Sequence, residues 1–117
     1  MGWNLFLDDE RDPPRDSRDW VVARSFTDAV AEVINRGFPS YISFDHDLGP
    51  DSKDGYEFLK VLIEKDERGH SGYQFDDMFE FYVHSQNPVG KKNIEALLTR
   101  YLQIKRDAIE FAARGQV

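Results

Sequence analysis

The sequence contains no cysteine, and this absence excludes several kinds of site at once. Disulfide frameworks, thiolate zinc sites and cysteine nucleophiles all need the missing side chain. The sequence also lacks an apolar run of the roughly 18 residues that a membrane span requires, and its first residues carry neither a basic region nor a long apolar stretch. We therefore expect a cytoplasmic protein that does not bind membranes.

Basic residues are scarce relative to acidic ones. The sequence has 15 Lys and Arg residues and 22 Asp and Glu residues, which gives a net charge of −7. Binding to extended nucleic acid rests largely on basic residues, so this charge disfavours it, whereas a small phosphorylated ligand or a single RNA end remains compatible. With 117 residues, 40% of them hydrophobic, the chain is expected to form one domain, 1–117, with its own core.

Short apolar runs alternate with helical patterns along the chain, which is typical of an α/β protein with a parallel sheet. Capping residues at Ser25 and Asp54, and an Asn-Pro pair at 87–88, predict three helix starts. The last helical pattern continues to about residue 113 without a breaker and forms either one long helix or two. The predicted strands are 5–7, 20–23, 41–44 and 78–83.

Polar side chains follow three of the four predicted strands at the point where each strand ends. In parallel sheets the carboxyl ends of the strands meet at one edge, where ligands bind. We therefore expect these side chains to converge on one site. They are Asp8 and Asp9 after the first strand, Asp45, His46 and Asp47 after the third, and His84 and Ser85 after the fourth.

Converging carboxylates repel one another, and a divalent cation relieves this repulsion. Carboxylate oxygens without thiolates favour Mg²⁺ or Mn²⁺, whose open coordination positions suit a phosphate group. Arg11, Lys53 and Lys91 lie in or beside the same loops and are candidate phosphate-binding residues. Histidine titrates near neutrality, so His46 and His84 are candidates for the general acid and base. The aromatic residues of the fourth strand are interpreted as packing residues.

Three separated segments resemble a known family. An Asp pair after the first strand, an Asp after the third and a Ser after the fourth resemble the receiver domains of response regulators. More specifically, the segments resemble the cyclic-phosphate processing receiver domains, and they read LFLDDERDP at 5–13, ISFDHDLG at 42–49 and VHSQNP at 83–88. The resemblance covers residues 4 to about 102 and leaves a helical extension at about 103–114.

The resemblance implies a three-layer, flavodoxin-like fold and the processing of cyclic phosphates such as those at RNA ends. It also implies that Asp8 and Asp9 are metal-binding acids, that Asp45 occupies the phosphoacceptor position, and that Ser85 contacts a phosphoryl oxygen. Asp45 is expected to complete the metal site with the other two acids.

The sequence departs from ordinary receivers after its fourth strand. A fifth strand and a Lys-Pro pair are missing, so the lysine that binds the phosphoryl group in receivers has no counterpart. His46, Asp47 and His84 are additions that a hydrolase needs and a phosphoacceptor does not. We therefore expect metal-dependent hydrolysis of a cyclic phosphate or phosphodiester, with either histidine moving the proton and Asp47 orienting a histidine or completing the metal site.

Three alternatives remain open. The domain could act as an aspartyl-phosphate switch, or as a non-catalytic module that binds a protein partner or a second copy of itself through the helix at 90–113. Asp45-x-Asp47 also has the spacing of the nucleophile motif of haloacid-dehalogenase-like phosphatases. That motif normally ends the first strand and precedes Gly-Thr, whereas here it ends the third and precedes Leu48-Gly49, so this alternative ranks last.

Overall fold

The computed structural model describes residues 2–115 and has the expected α/β architecture. Its four strands are all parallel and lie in the order β2-β1-β3-β4. The fold class, the four-stranded parallel sheet and the long last helix are confirmed. The strands are β1 (Asn4–Leu7), β2 (Trp20–Ala23), β3 (Tyr41–Phe44) and β4 (Glu80–Val83), and the helices are α1 (Phe26–Arg36), α2 (Gly55–Arg68) and α3 (Pro88–Arg114).

All three helices begin at the predicted capping residues. Ser25, Asp54 and Asn87 each lie in an extended conformation and accept a hydrogen bond from the backbone N–H three residues later. This bond satisfies one of the free N–H groups at each helix start. Because caps are local features, the helix starts predicted from the sequence agree with the observed ones to within one residue.

Strand β4 begins two residues later than predicted. The side chain of Asp76 accepts the N–H of Met78 at 2.9 Å, and its carbonyl accepts the N–H of Phe79 at 3.2 Å. These two bonds hold 76–79 in a turn, so pairing with β3 starts at Glu80.

The helices pack on one face of the sheet, which we call the inner face. The chain moves across the sheet in the same direction from β2 to β3 and from β3 to β4, so right-handed connections place α1 and α2 on the same side. One continuous apolar core joins the strands to all three helices, and it includes Leu5, Leu7, Ile42, Phe44, Val83, Ala29, Val33, Phe58, Leu59, Leu62, Ile94 and Leu98.

The opposite face of the sheet, which we call the outer face, differs from the three-layer arrangement implied by the receiver resemblance. Within residues 2–115 no helix covers it, because the connection from β1 to β2 is the loop 8–19. Arg18 in this loop stacks over the rings of Trp20 and Tyr41. The third layer is therefore a loop that covers part of the sheet.

The last helix is a single element of 27 residues, about 40 Å long. Buried Asp66 of α2 holds it through the side chains of Tyr101 and Lys105. Beyond these contacts its large apolar side chains are exposed, and Phe111 is 79% exposed. No helix in the described part of the chain combines the length and apolar character that crossing a bilayer requires.

Candidate functional site

The sheet register brings three of the predicted site residues into one row. Asp8, Asp45 and His84 each follow a strand directly, and each donates its backbone N–H to a carbonyl of the neighbouring strand at 2.9–3.1 Å. Side chains alternate along a strand, and the preceding residues Leu7, Phe44 and Val83 belong to the inner core. The row therefore lies on the outer face, at the carboxyl edge.

The carboxylate of Asp8 is buried and fully engaged. Its Oδ1 accepts the backbone N–H groups of Glu10 and Arg11, each at 2.8 Å, and its Oδ2 lies 3.0 Å from Nε2 of His84. Burial alone would raise the pKa of Asp8, but these donors outweigh it and hold the pKa below its usual 3.8. Asp8 is thus a fixed negative charge at the β1 end of the row, with Asp45 between it and the backbone of His84.

Asp45 has the opposite electrostatic character. Burial and the neighbouring charge of Asp8 raise the pKa of the Asp45 carboxyl, against the opposing effects of the Ser85 hydroxyl and of His84. Ligand atoms of Asp8, Asp45 and His84 all lie within 4.8 Å of one another. Two buried carboxylates at this separation favour a bound cation.

His84 is held from three sides. Its Nδ1 lies 2.7 Å from the hydroxyl of Ser43, its Nε2 faces Asp8, and its ring stacks on Phe6 at a centroid distance of 4.6 Å and an interplanar angle of 3°. Ser43 and Phe6 belong to the outer face of β3 and β1. The sheet itself therefore fixes the position of this histidine.

A cleft of about 410 Å³ opens beside the row. It brings together most of the residues predicted from the three strand ends. Asp9 lies in it but outside the close group of Asp8, Asp45 and His84. The lining residues that the sequence had marked are Asp9, Arg11, Asp45, Asp47 and Ser85, and Glu10, Gly49, Gln86 and Asn87 complete the wall.

The structure separates His46 from His84. Nδ1 of His46 lies 2.8 Å from the carboxylate of Asp47, and its Nε2 lies 3.5 Å from that of Asp54. A methyl group at Gly90 would lie 2.3 Å from the imidazole ring, so glycine at this position lets the ring pack against α3. His46 therefore links the end of β3 to the starts of α2 and α3.

Asp47 lies between this link and the cleft. Its hydrogen bond with His46 and a second one with Asn87 lower its pKa. It is thus held as a carboxylate at the rim of the cleft.

In the part of the chain that the structure describes, the two predicted lysines do not line this cleft. Lys53 lies over the ring of Phe26 and lines an adjacent cavity of about 570 Å³. The amino group of Lys91 lies 5.8 Å from the ring centroid of Tyr82, at the outer edge of the sheet. Arg11 is the predicted cation that lines the cleft, with its Nε 3.7 Å from Asp8.

Sequence reasoning missed Arg24 and Ser43. Arg24 follows β2 directly, so the strand-end argument used for the other strands would have found it. It donates to the backbone carbonyls of Asp8 and Arg11 and to the carboxylate of Asp12 at 3.0 Å. Ser43 is a polar residue within an apolar strand, and this alternation was the signal for its outward position.

Comparisons with known proteins bear on the identity of this site. A search of curated proteins gives no significant match, and a search of solved structures gives none either. The family model described as the cyclic-phosphate processing receiver domain matches residues 3–100 and so includes all three strand-end segments. The chain belongs to the family of cyclic-phosphate processing receiver domains.

Proposed function

We propose that this receiver-like domain hydrolyses a cyclic phosphate or a related phosphodiester, at an RNA end or on a small nucleotide-derived molecule. The observation that carries the proposal is the close group of Asp8, Asp45 and His84 beside a cleft that Arg11 and Ser85 line. The row supplies carboxylates and an acid–base side chain, and the cleft beside it supplies phosphate-binding donors.

The carboxylates of Asp8 and Asp45 fit a divalent cation such as Mg²⁺ or Mn²⁺. They are hard oxygen donors, they are buried, and the charge of one raises the pKa of the other. When bound, such an ion polarises a phosphoryl oxygen and offsets developing negative charge. Asp9, which lies in the same cleft, is the third predicted acid and would help to hold such an ion.

Two residues suit the phosphate group itself. The side chain of Arg11 is 44% exposed beside the cleft, and its guanidinium can donate two hydrogen bonds to phosphate oxygens. The hydroxyl of Ser85 lies next to Asp45 and can donate to a phosphoryl oxygen.

His84 is the better candidate for proton transfer. Hydrolysis adds water to phosphorus and breaks one P–O bond of the ring, and the leaving oxygen takes a proton to give a phosphate monoester. Nε2 of His84 lies in the close group with Asp45 and is 3.0 Å from Oδ2 of Asp8, so its ring nitrogen is placed to act as the general acid for the leaving oxygen. His46 is held between Asp47 and Asp54, so we assign it and Asp47 a positioning role for the end of β3.

The test is turnover of a 2′,3′-cyclic mononucleotide with Mg²⁺, with Mn²⁺ and with a chelator. We expect metal-dependent turnover that Asp45→Asn and His84→Asn abolish. The matched controls are Asp19→Asn and His70→Asn, because both side chains are exposed. Full turnover by Asp45→Asn would contradict the proposal. An acid-labile phosphoryl adduct on Asp45 without turnover would favour the aspartyl-phosphate switch.

The exposed end of α3 supports a second, separate role in binding a protein partner or another copy of the chain. Ile104, Ile109 and Phe111 are each more than half exposed along this part of the helix. Light scattering over a range of concentrations tests self-association. A mass that stays monomeric, and equal for wild type and Phe111→Glu, would exclude a homodimer formed through this surface.

A further inference from the structure

The outer face of β4 carries an aromatic side chain that packing does not explain. Phe79 and Phe81 of the same segment contact the core, which confirms the packing interpretation for them. Tyr82 alternates to the outer face and is 55% exposed, and Lys91 lies over its ring. Tyr82 and Lys91 therefore form an exposed aromatic and cationic pair on an acidic protein.

The pair of Tyr82 and Lys91 lies next to the row of Asp8, Asp45 and His84. Tyr82 lies in β4 and His84 directly follows that strand, two residues later, so the two side chains project from the same face about 7 Å apart along the strand direction. Tyr82 also pairs in register with Ser43, which holds His84. A ligand with its phosphate at the row can lie along β4, because within residues 2–115 no helix covers this face.

We propose that Tyr82 stacks against the base of a nucleoside whose cyclic phosphate lies at His84, and that Lys91 binds the 5′-phosphate of the same nucleoside. This inference rests on the proposed function and narrows its substrate to a single nucleotide that carries a cyclic phosphate and a 5′-phosphate, whether it is free or at the 3′ end of an RNA strand. A base needs an aromatic surface, and the phosphodiester that precedes it needs a cation.

The surroundings of the pair limit the site to one nucleotide. Glu80 is the next residue of β4 on the outer face, and its carboxylate is exposed. A further phosphate along the strand would meet this negative charge. The net charge of −7 likewise disfavours contacts with a longer stretch of backbone.

Tyr82→Ala tests the stacking contact, with Tyr82→Phe as the conservative variant. We expect Tyr82→Ala to raise the KM for a nucleoside 2′,3′-cyclic phosphate roughly tenfold with little change in kcat, because stacking binds ground state and transition state alike. Tyr82→Phe keeps the aromatic ring and should behave like wild type. Met78→Ala, which removes another exposed side chain near the start of β4, is the matched control.

Lys91→Gln tests the phosphate contact, with Lys92→Gln as control because Lys92 is exposed on the same helical turn. Wild type should prefer a nucleoside 2′,3′-cyclic phosphate that also carries a 5′-phosphate, by roughly three- to tenfold in kcat/KM at low salt. Lys91→Gln should lose this preference, and Lys92→Gln should keep it.

Calorimetric titration of a nucleoside 3′-phosphate, one of the two monoesters that ring opening can give, separates this inference from the proposed function, because it needs no turnover. We expect Tyr82→Ala to bind the product roughly tenfold more weakly than wild type and than Tyr82→Phe. Equal affinity of wild type and Tyr82→Ala would overturn the inference, whether or not the protein is a hydrolase. If Tyr82→Ala binds as tightly as wild type and the protein still shows metal-dependent turnover, the proposed hydrolase function stands and the proposed contact between Tyr82 and the base is wrong.

Discussion

The two faces of the sheet perform different work. The inner face joins three helices through a continuous apolar core, and residues such as Phe44 and Phe58 have no exposed surface. The outer face carries Phe6, Ser43 and Tyr82 and is covered in part by the loop 8–19. Stability therefore comes mainly from one face, and the polar row that suits chemistry lies on the other.

This division explains how the chain departs from an ordinary receiver without losing its sheet. A receiver that signals needs a lysine from a fifth strand, and within residues 2–115 the sheet ends at β4. Asp8 and Asp45 are buried, and the row opens to the cleft at the carboxyl edge of the sheet. Because no helix within residues 2–115 packs on the outer face, Tyr82 of β4 is also exposed beside the row.

The largest expected contrast between the faces is in stability. Phe44→Ala removes a fully buried ring from the inner core and should lower the free energy of unfolding by about 3–5 kcal/mol. Tyr82→Ala on the outer face should change it by about 0.5 kcal/mol or less. Urea unfolding of both variants measures the contrast. Equal losses would show that the outer face also contributes to the core.

Asp8 is the exception on the outer face, since its charge is stabilising. Replacing it with Asn, in an Asp45→Asn background that removes the neighbouring carboxylate, should lower the unfolding free energy at pH 7 by about 1–3 kcal/mol. Because its donors hold the pKa of Asp8 below 3.8 in the folded protein, this contribution is present above pH 3.8. It is lost as the pH falls through the lowered pKa.

Unfolding of the two variants as a function of pH measures this effect. The stability gap between Asp45→Asn and the double variant should be constant near neutrality and close in acid. A gap that stays constant below pH 3 would contradict the assigned charge state of Asp8.

Sequence reasoning succeeded where the signals are local. The capping residues placed the helix starts, and the apolar runs placed β1, β2 and β3 to within a residue. It also predicted that four side chains lie at the carboxyl edge of the sheet, because the ends of parallel strands meet there. They are Asp8, Asp45, His84 and Ser85. These predictions needed no knowledge of how the helices pack.

The remaining features depend on contacts between distant segments. The separation of His46 from His84 arises because the ring of His46 fits against Gly90, which lies 44 positions later in the chain. The sequence pattern predicted no helix between the first two strands, as observed, whereas the resemblance implied a third layer; the packing of all three helices on the inner face decides that a loop covers the other face. The start of β4 shifted because of a turn built by Asp76, whose side-chain bond a propensity pattern does not reveal.

Asp45 should show the reverse of Asp8, because its charge is destabilising without a cation. Burial and the charge of Asp8 raise the pKa of Asp45 on folding, so stability is lost as the pH rises through its titration. In a chelator at pH 7, Asp45→Asn should therefore be more stable than wild type, by on the order of 1 kcal/mol or a few degrees in Tm.

Thermal unfolding with and without Mg²⁺ checks this prediction. Wild type should gain stability when Mg²⁺ is added and Asp45→Asn should not, while Asp19→Asn should respond like wild type. A lower Tm for Asp45→Asn in chelator would mean that the amide loses more in hydrogen bonding than it gains by removing the charge.

The smallest expected effect concerns the loop 8–19, which substitutes for the missing layer. Arg24 holds its first part through the carbonyls of Asp8 and Arg11 and the carboxylate of Asp12, but its side chain is 40% exposed. Arg24→Ala should therefore cost about 1 kcal/mol or less in global stability, because exposed ion pairs contribute little.

The local effect of Arg24→Ala on the loop should be larger, because three contacts that order the loop disappear together. Hydrogen exchange of the amides in 10–19 should accelerate in Arg24→Ala and stay unchanged in Arg15→Ala, whose side chain is exposed in the same loop. Equal exchange in both variants would mean that the two hydrogen bonds to the carboxylate of Asp8, rather than Arg24, hold the loop over the outer face.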